Sequence, residues 1–406
     1  MTEPSPTASL AHGPLGGIRV IDLSAVVSGP FATSILADQG ADVITIEQAG
    51  QPDVVRASGP LADSADGVSA FWAAMNRNKR AVALDLKQIE GTALFLELVK
   101  GADVVVQNFR PGAVERLGLG WDVLSEVNPD LIMCSISAYG PDGPYSERPA
   151  YDPIIQAVAG YASVQAGPDG TPELIRTIVC DKVTAMHVAQ SICAALVGRS
   201  NGAGGQHIEL TMLDASLHFL WPDAMWGQTY LDHEVDMPDL ASIYRLQQSR
   251  DGWVIVYAIS TDPQWQAMCA AFGRDDLARD ERFADLQARL RNGDAANAAI
   301  QTETTNYTTN EVVDLLEAHG VPVAPVNTRT SVLQDPQVIH RSLVEHSTHP
   351  SAGEIRSIRP AARFSKTPTS LRRPAPLFGE HTDEVLSELG IDPERMIELR
   401  RRGVVR

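Results

Sequence analysis

Short apolar runs alternate with longer amphipathic stretches through the first half of the chain. Ile18–Leu23 (IRVIDL) is bounded by Gly17 and Ser24, the pattern of a buried strand. Pro30 follows Gly29 and opens a stretch that stops at Gly40, the punctuation of a helix. Asp42–Glu47 (DVITIE) then reads as a second strand. The same alternation predicts strands at Arg80–Leu86, Asp103–Phe109 and Leu131–Ser137, and a helix at Ile89–Lys100. Short helices are expected at Pro111–Leu117 and Val123–Val127. Strands alternating with helices predict an α/β fold with a Rossmann-like parallel sheet covered on both faces.

A Gly- and Pro-rich loop, Tyr139–Pro149, interrupts this rhythm before a helix at Asp152–Tyr161. Leu174–Cys180 is read as a strand running into Asp181, followed by an apolar helix at Val183–Val197, a turn at Ser200–Gln206 and a strand at His207–Met212. The character changes near Leu220. Residues 221–250 carry Trp221, Trp226, Tyr230 and Tyr244 without a clear period. Beyond them, Trp253–Ile259 suits a strand, Glu311–His319 a helix, and Val321–Val326, with two prolines, an edge strand or linker. The pattern divides into a large domain of residues 1–220 plus 331–406 and a smaller α+β domain at 225–330 with linkers at its ends. Residues 1–16 are polar and expected to fray. A last helix is expected at Glu380–Leu389, returning to the large domain.

Composition narrows the function. The chain has 406 residues, 33 Lys+Arg against 51 Asp+Glu, and a formal net charge of −18. A nucleic acid or an anionic membrane surface calls for a basic face, which this balance disfavours. The four cysteines form no C-x-x-C pair and lie near no histidine at zinc spacing, so no metal site is expected. Three of them sit among apolar residues, as free thiols do in a reducing cytoplasm. The N-terminus lacks the basic and apolar regions of a signal peptide, and no apolar run reaches the ~18 residues of a membrane span.

The opening strand–loop–helix imitates a dinucleotide-binding unit, but its loop, Ser24–Pro30, has no G-x-G-x-x-G. Valines at 26 and 27 keep backbone away from a pyrophosphate, which argues against a nicotinamide dehydrogenase. The signatures of phosphate-loop, serine-esterase and zinc-protease chemistry are absent as well. What remains is cationic. Asn76-Arg77-Asn78-Lys79-Arg80 precedes a strand, and Asn108-Phe109-Arg110 lies at a strand's C-terminal end with Arg116 beyond. Cations at the ends of parallel strands suit a phosphorylated ligand; a solvated turn is the alternative for the first group. Asp181, between two apolar segments, reads either as a helix cap or as a carboxylate held ionised at a helix N-terminus and able to attack an acyl group.

Several fragments in fixed order carry a resemblance: GIRVIDLS (17–24), GADVITIE (40–47), NRNKRAVALDL (76–86), QNFRPGAVERLG (107–118), SAYGPDGPY (137–145), RPAYDPIIQA (148–157), GQHIELTMLDA (205–215) and PLFGEHTDEVL (376–386). From about Leu15 to Leu389 the chain resembles the class III coenzyme A transferases, the family of formyl-CoA transferase and carnitine CoA-transferase. The resemblance implies an interlocked homodimer acting on an acyl-CoA and a carboxylic acid, with coenzyme A as substrate and product and no permanently bound cofactor. It makes Asp181 the nucleophile, carrying a mixed anhydride and then a CoA thioester. It places CoA contacts at Val27 and Ser28, at Asn76, Asn78 and Lys79, at Asn108, Phe109 and Arg110, at Arg116, and at Ser137, Tyr139 and Gly140.

The chain departs from formyl-CoA transferase, which has glutamine where Val27 stands, lysine where Ser137 aligns, and a glycine-rich loop not found between Pro222 and Trp253. A larger, less polar acyl pocket built from Trp221, Trp226, Tyr230 and Tyr244 is the corresponding expectation, with interdomain core the plain alternative. The resemblance also reaches α-methylacyl-CoA racemases, which use a His–Asp pair. Here that segment is Ala150-Tyr151-Asp152, tyrosine is a poor base near neutrality, and His187 lies within an apolar helix. A CoA-binding module that has lost its chemistry is the non-enzymatic alternative.

Overall fold

The computed structural model describes residues 13–63, 68–167, 169–232 and 243–406. Most of the polar N-terminal leader and residues 233–242 of the aperiodic aromatic stretch lie outside them. Six strands, β1 (Arg19–Asp22), β2 (Asp42–Glu47), β3 (Lys79–Ala83), β4 (Val104–Gln107), β5 (Ile132–Ser137) and β6 (Gln206–Thr211), form one sheet in the order 3-2-1-4-5-6. Every neighbouring pair is parallel. This is a doubly wound order, and the chain reverses direction across the sheet between β1 and β4.

The strands are apolar on both faces because helices cover both. Side chains alternate strictly. Ile21, Ile44, Val82, Val105 and Met133 face Leu94, Phe95 and Leu98 of the helix Ile89–Lys100 and the C-terminal residues Val385, Leu386 and Leu399. Val20, Val43, Val104, Ile132 and Cys134 face the other layer, built from α1 (Ser28–Asp38) and α2 (Val179–Gly198). Alanines 32 and 37 on α1 and 185, 189 and 195 on α2 let these two helices pack closely. α1 begins two residues before Pro30. The proline therefore occupies the first turn, where its missing N–H costs no bond.

Two compact units make up the chain, one ending at Phe219 and resuming at Ser342, the other spanning Leu220–Arg341. The smaller unit carries an antiparallel sheet, β7 (Leu246–Gln248), β8 (Trp253–Val256) and β9 (Val323–Pro325), in that order. β9 lies at the edge, where Pro325 is tolerated. Trp265, Met268, Phe283, Ile300, Val312 and Leu316 form its core beneath β8. Within this unit Tyr244 stacks on Tyr257. In the larger unit the C-terminal segment returns to β3, with His381 N–H donating to Ala81 C=O (2.9 Å). Among the described residues no helix is long and apolar enough to cross a membrane.

The strand expected at Leu174–Cys180 does not form. The segment is irregular until α2 starts at Val179, and Leu174 is 46% exposed. β6 already occupies the edge beside β5, and the segment is tied instead to the preceding helix, Ile175 N–H donating to Gln156 Oε1 (2.9 Å).

Candidate active site

The C-terminal ends of β1, β4, β5 and β6 open onto a cavity of about 250 Å³. Its walls come from the loop after β1, the Asn108–Pro111 turn after β4, Ser137–Gly140 after β5, Met212 after β6, the Ser146–Tyr151 loop, and Asp181. It sits at the switch point of the sheet, where this topology leaves a crevice.

The loop after β1 is held amide by amide. Leu23 N–H continues the ladder to Val106 C=O (2.8 Å). Ser24 N–H donates to Asp22 Oδ1 (3.0 Å), Ala25 N–H to Asn108 Oδ1 (2.8 Å), and Val26 N–H to Asp53 Oδ2 (2.9 Å). Val26 has φ +69°, a left-handed backbone that a β-branched residue adopts at a cost of about 1–3 kcal/mol. The turn delivers the chain into α1 at Ser28. Gly29 follows because a Cβ there would lie 2.1 Å from Ser24 Oγ.

Asp181 stands in the first turn of α2, not before the helix as expected, and Ile178 at the N-cap offers no side-chain bond. The role of cap falls to Asp152, whose Oδ2 accepts the Asp181 N–H at 3.0 Å. Asp152 begins its own helix, Asp152–Val158, and bridges from it to α2. Burial raises the Asp181 carboxyl to about 7, and the nearby charge of Asp152 adds to the rise. Hydrogen bonds from the Ser28 hydroxyl and backbone N–H pull the other way. A carboxyl poised near neutrality is available as an anion, yet is poorly solvated and nucleophilic.

The family model CoA-transferase family III matches residues 15–382. The chain belongs to CoA-transferase family III. A succinate–glutarate CoA-transferase from Agrobacterium fabrum is 36% identical over 384 residues, covering 93% of this chain and 96% of the relative. The beta subunit of a succinyl-CoA–L-malate CoA-transferase from Chloroflexus aurantiacus is 33% identical, covering 97% and 98%. Among solved structures, a CAIB/BAIF family protein from Brucella suis superposes with a TM-score of 0.81 at 32% identity, covering 93% of this chain and all of that one. These relatives are named as CoA-transferases, and this family III protein is a transferase enzyme.

The CoA contacts that the family resemblance implies for this transferase separate into three groups. Val27, Ser28, Asn108, Phe109, Arg110, Ser137, Tyr139, Gly140 and Asp181 all line the cavity. Asn76, Asn78 and Lys79 stand in the interior instead. Lys79 is 0% exposed, and its ammonium donates to Asp22 Oδ2 (3.0 Å), Pro30 C=O (2.8 Å) and Asn76 Oδ1 (2.9 Å). Asn78 donates to Asp38 Oδ1 (2.8 Å) and accepts from Arg372 N–H (2.6 Å). These donors build the floor under α1, which explains why so polar a segment precedes a buried strand. Arg116 is exposed on the short helix Ala113–Arg116, outside the cavity lining.

The loop reading of Tyr139–Pro149 missed Arg148, which lines the cavity with its guanidinium 3.8 Å above the Tyr145 ring. Tyr145 in turn packs edge-on against Tyr139. The R-P-A-Y-D fragment was a signal for it, since Asp152 four residues on holds Asp181. A smaller cavity of about 80 Å³ adjoins the first through Phe109, Arg110 and Ser137, and His207 lines it, bonded to Ser135 Oγ (2.8 Å) and stacked on Trp121.

Proposed function

We propose that Asp181 carries the acyl group and then CoA in a transfer between an acyl-CoA and a free carboxylic acid. A carboxylate oxygen of Asp181 attacks the thioester carbonyl carbon; the C–S bond breaks and leaves a mixed anhydride and CoA thiolate. The thiolate attacks the aspartyl carbonyl carbon, the anhydride C–O bond breaks, and the first acid departs as carboxylate. An incoming carboxylate reverses the two steps and leaves with CoA, restoring Asp181. No net proton moves, so the site needs a nucleophile and charge stabilisation rather than an acid–base pair. The Ser28 N–H and hydroxyl, in the same cavity wall as Asp181 and acting to lower its carboxyl, supply donors where that charge develops.

The observation that carries this reading is the Asp181 carboxyl, raised toward neutrality, in the wall of the cavity that the cationic Arg110 and Arg148 also line. CoA phosphates suit those guanidinium groups. The relatives named for succinate, glutarate and malate favour dicarboxylic acids as the acids exchanged. The racemase alternative loses ground, because a tyrosine, Tyr151, stands in the cavity wall in the place of the base, and His187 packs edge-on against His218 outside the cavity lining. The interlocked homodimer that the resemblance implies would give the exposed Ile154, Val158, Met186, Val197 and Phe219 of the larger unit a surface to bury against, and dilution should release no folded monomer from it.

The test is a panel of acyl-CoAs and carboxylic acids read by mass spectrometry, with hydroxylamine trapping of the enzyme thioester. The wild type should give an adduct at position 181. Asp181→Ala should give none and lose transfer while still binding CoA. Retained turnover in that variant, or exchange of an α-proton with solvent without an acceptor acid, rules the reading out.

A further inference from the structure

The strained Val26 turn has no glycine to ease it, and two side chains from other parts of the sheet hold it in place. Asn108, just past β4, grips Ala25 at both ends: its Oδ1 accepts the Ala25 N–H (2.8 Å) and its Nδ2 donates to the Ala25 carbonyl (2.7 Å). This extends the β1–β4 pairing by one side-chain rung. Asp53, beyond β2, accepts the Val26 N–H with Oδ2 and the Val55 N–H with Oδ1 (both 2.9 Å). Asp53 is itself firmly mounted. Its N–H donates to Glu47 Oε2 (3.0 Å), and Glu47 takes a two-pronged bond from Arg56 (2.8 and 2.6 Å), whose guanidinium lies 3.7 Å over the Trp72 ring. The next residues along the chain are Val27 and Ser28.

We infer that Asp53 and Asn108 are positioning residues that lock the Ala25–Val26 turn in its left-handed form and so aim Ser28 at Asp181. The amide of Asn108, which the family resemblance assigns to CoA, is already engaged with Ala25 at both ends. Released, a valine returns to the extended region, and the first turn of α1 no longer meets the carboxylate. The inference rests on the proposed role of Asp181. Asp152 lies beside that carboxyl, as does the Cys180 thiol, which burial pushes up to about 12 and keeps neutral; the charged Arg110, Glu147 and Arg148 line the same cavity. Loss of the Ser28 donors therefore lets the Asp181 carboxyl rise further.

The test compares Asp53→Ala, Asn108→Ala, the double variant, and Asp53→Ala combined with Val26→Gly. In each of the first three, enzyme-thioester formation should slow about ten- to a hundred-fold, the scale of a hydrogen bond to a charged group. KM for acyl-CoA should change by less than about three-fold, and the acid limb of the pH profile should move to higher pH. Val26→Gly should recover most of the loss caused by Asp53→Ala, because glycine adopts the left-handed turn without strain. A loss confined to KM, an unmoved acid limb, or no recovery by Val26→Gly overturns the inference. A crystal structure of the double variant decides the structural half independently. If Val26 keeps its positive φ there, the lock is refuted whatever the fate of Asp181. If the turn opens but the wild type forms no adduct at position 181, the role of Asp181 fails instead and, with it, the purpose assigned to the lock.

Discussion

Asn76–Lys79 and Asn108–Arg110 are both short polar runs beside buried parallel strands, and they have opposite fates. The first enters β3 at its N-terminal end and turns its donors inward, to Asp22, Asp38 and the carbonyl of Pro30. The second leaves β4 at its C-terminal end and lines the cavity. Residue type does not separate them; strand direction does. In a doubly wound sheet the loops that carry ligands gather at the C-terminal ends, while the opposite ends serve packing. Lys79 is the extreme case. Burial pushes its pKa down, the Asp22 carboxylate opposes that, and the pair holds the segment from which α1 springs.

The largest test of this contrast is Lys79→Met. Removing one partner of a buried ion pair leaves Asp22 unpaired and costs about 3–5 kcal/mol. The melting temperature should drop sharply, while the folded protein still binds CoA with unchanged affinity. A variant of normal stability that has lost CoA binding would return Lys79 to the ligand and erase the distinction. Arg110→Gln should show the reverse. Thermal stability should not move, whereas KM for acyl-CoA should rise about ten- to a hundred-fold, the loss of a charge-assisted bond. Its dependence on ionic strength should become shallower.

Strand direction also explains how far the sequence could be read. Asp42–Glu47 and Ile89–Lys100 have the boundaries that their apolar periods indicate, because each is closed by local punctuation. Leu174–Cys180 has a strand-like composition but joins neither edge of the sheet: β6 takes the place beside β5, and Ile175 is tied to Gln156 of the preceding helix. Which partner a segment reaches is not a local property. The same holds at the site. Asp181 was visible as an isolated carboxylate, but its burial, its tie to Asp152 and its bonds from Ser28 join residues 29 and more positions apart in the chain. Arg148 went unread because a Gly- and Pro-rich loop shows no period from which its direction could be inferred.

A smaller effect should appear in the pH dependence. The Asp181 carboxyl is raised to about 7, chiefly by burial, and it attacks as the anion. Enzyme-thioester formation should therefore increase with pH through about 7, level off above it, and fall about tenfold per unit well below it. A flat profile between pH 5 and 9 would mean that the carboxylate is already fully ionised and that burial does not govern it.

Ser28→Ala gives the smallest change and the finest discrimination. Alanine keeps the backbone N–H at the start of α1 and removes only the hydroxyl. One of the two Ser28 contributions that lower Asp181 disappears, so the acid limb should shift upward by less than about one unit, since a single hydrogen bond is worth about 1 kcal/mol. At pH 6 the variant should be several-fold slower than the wild type. At pH 9, where both carboxyls are ionised, the difference should nearly vanish. A loss of equal size at both pH values would place the hydroxyl's effect in the transition state, as a donor to the developing oxyanion, instead of on the ionisation of Asp181. No loss at either pH would leave the backbone N–H as the only donor that matters, and α1 would then act on the site through its main chain alone.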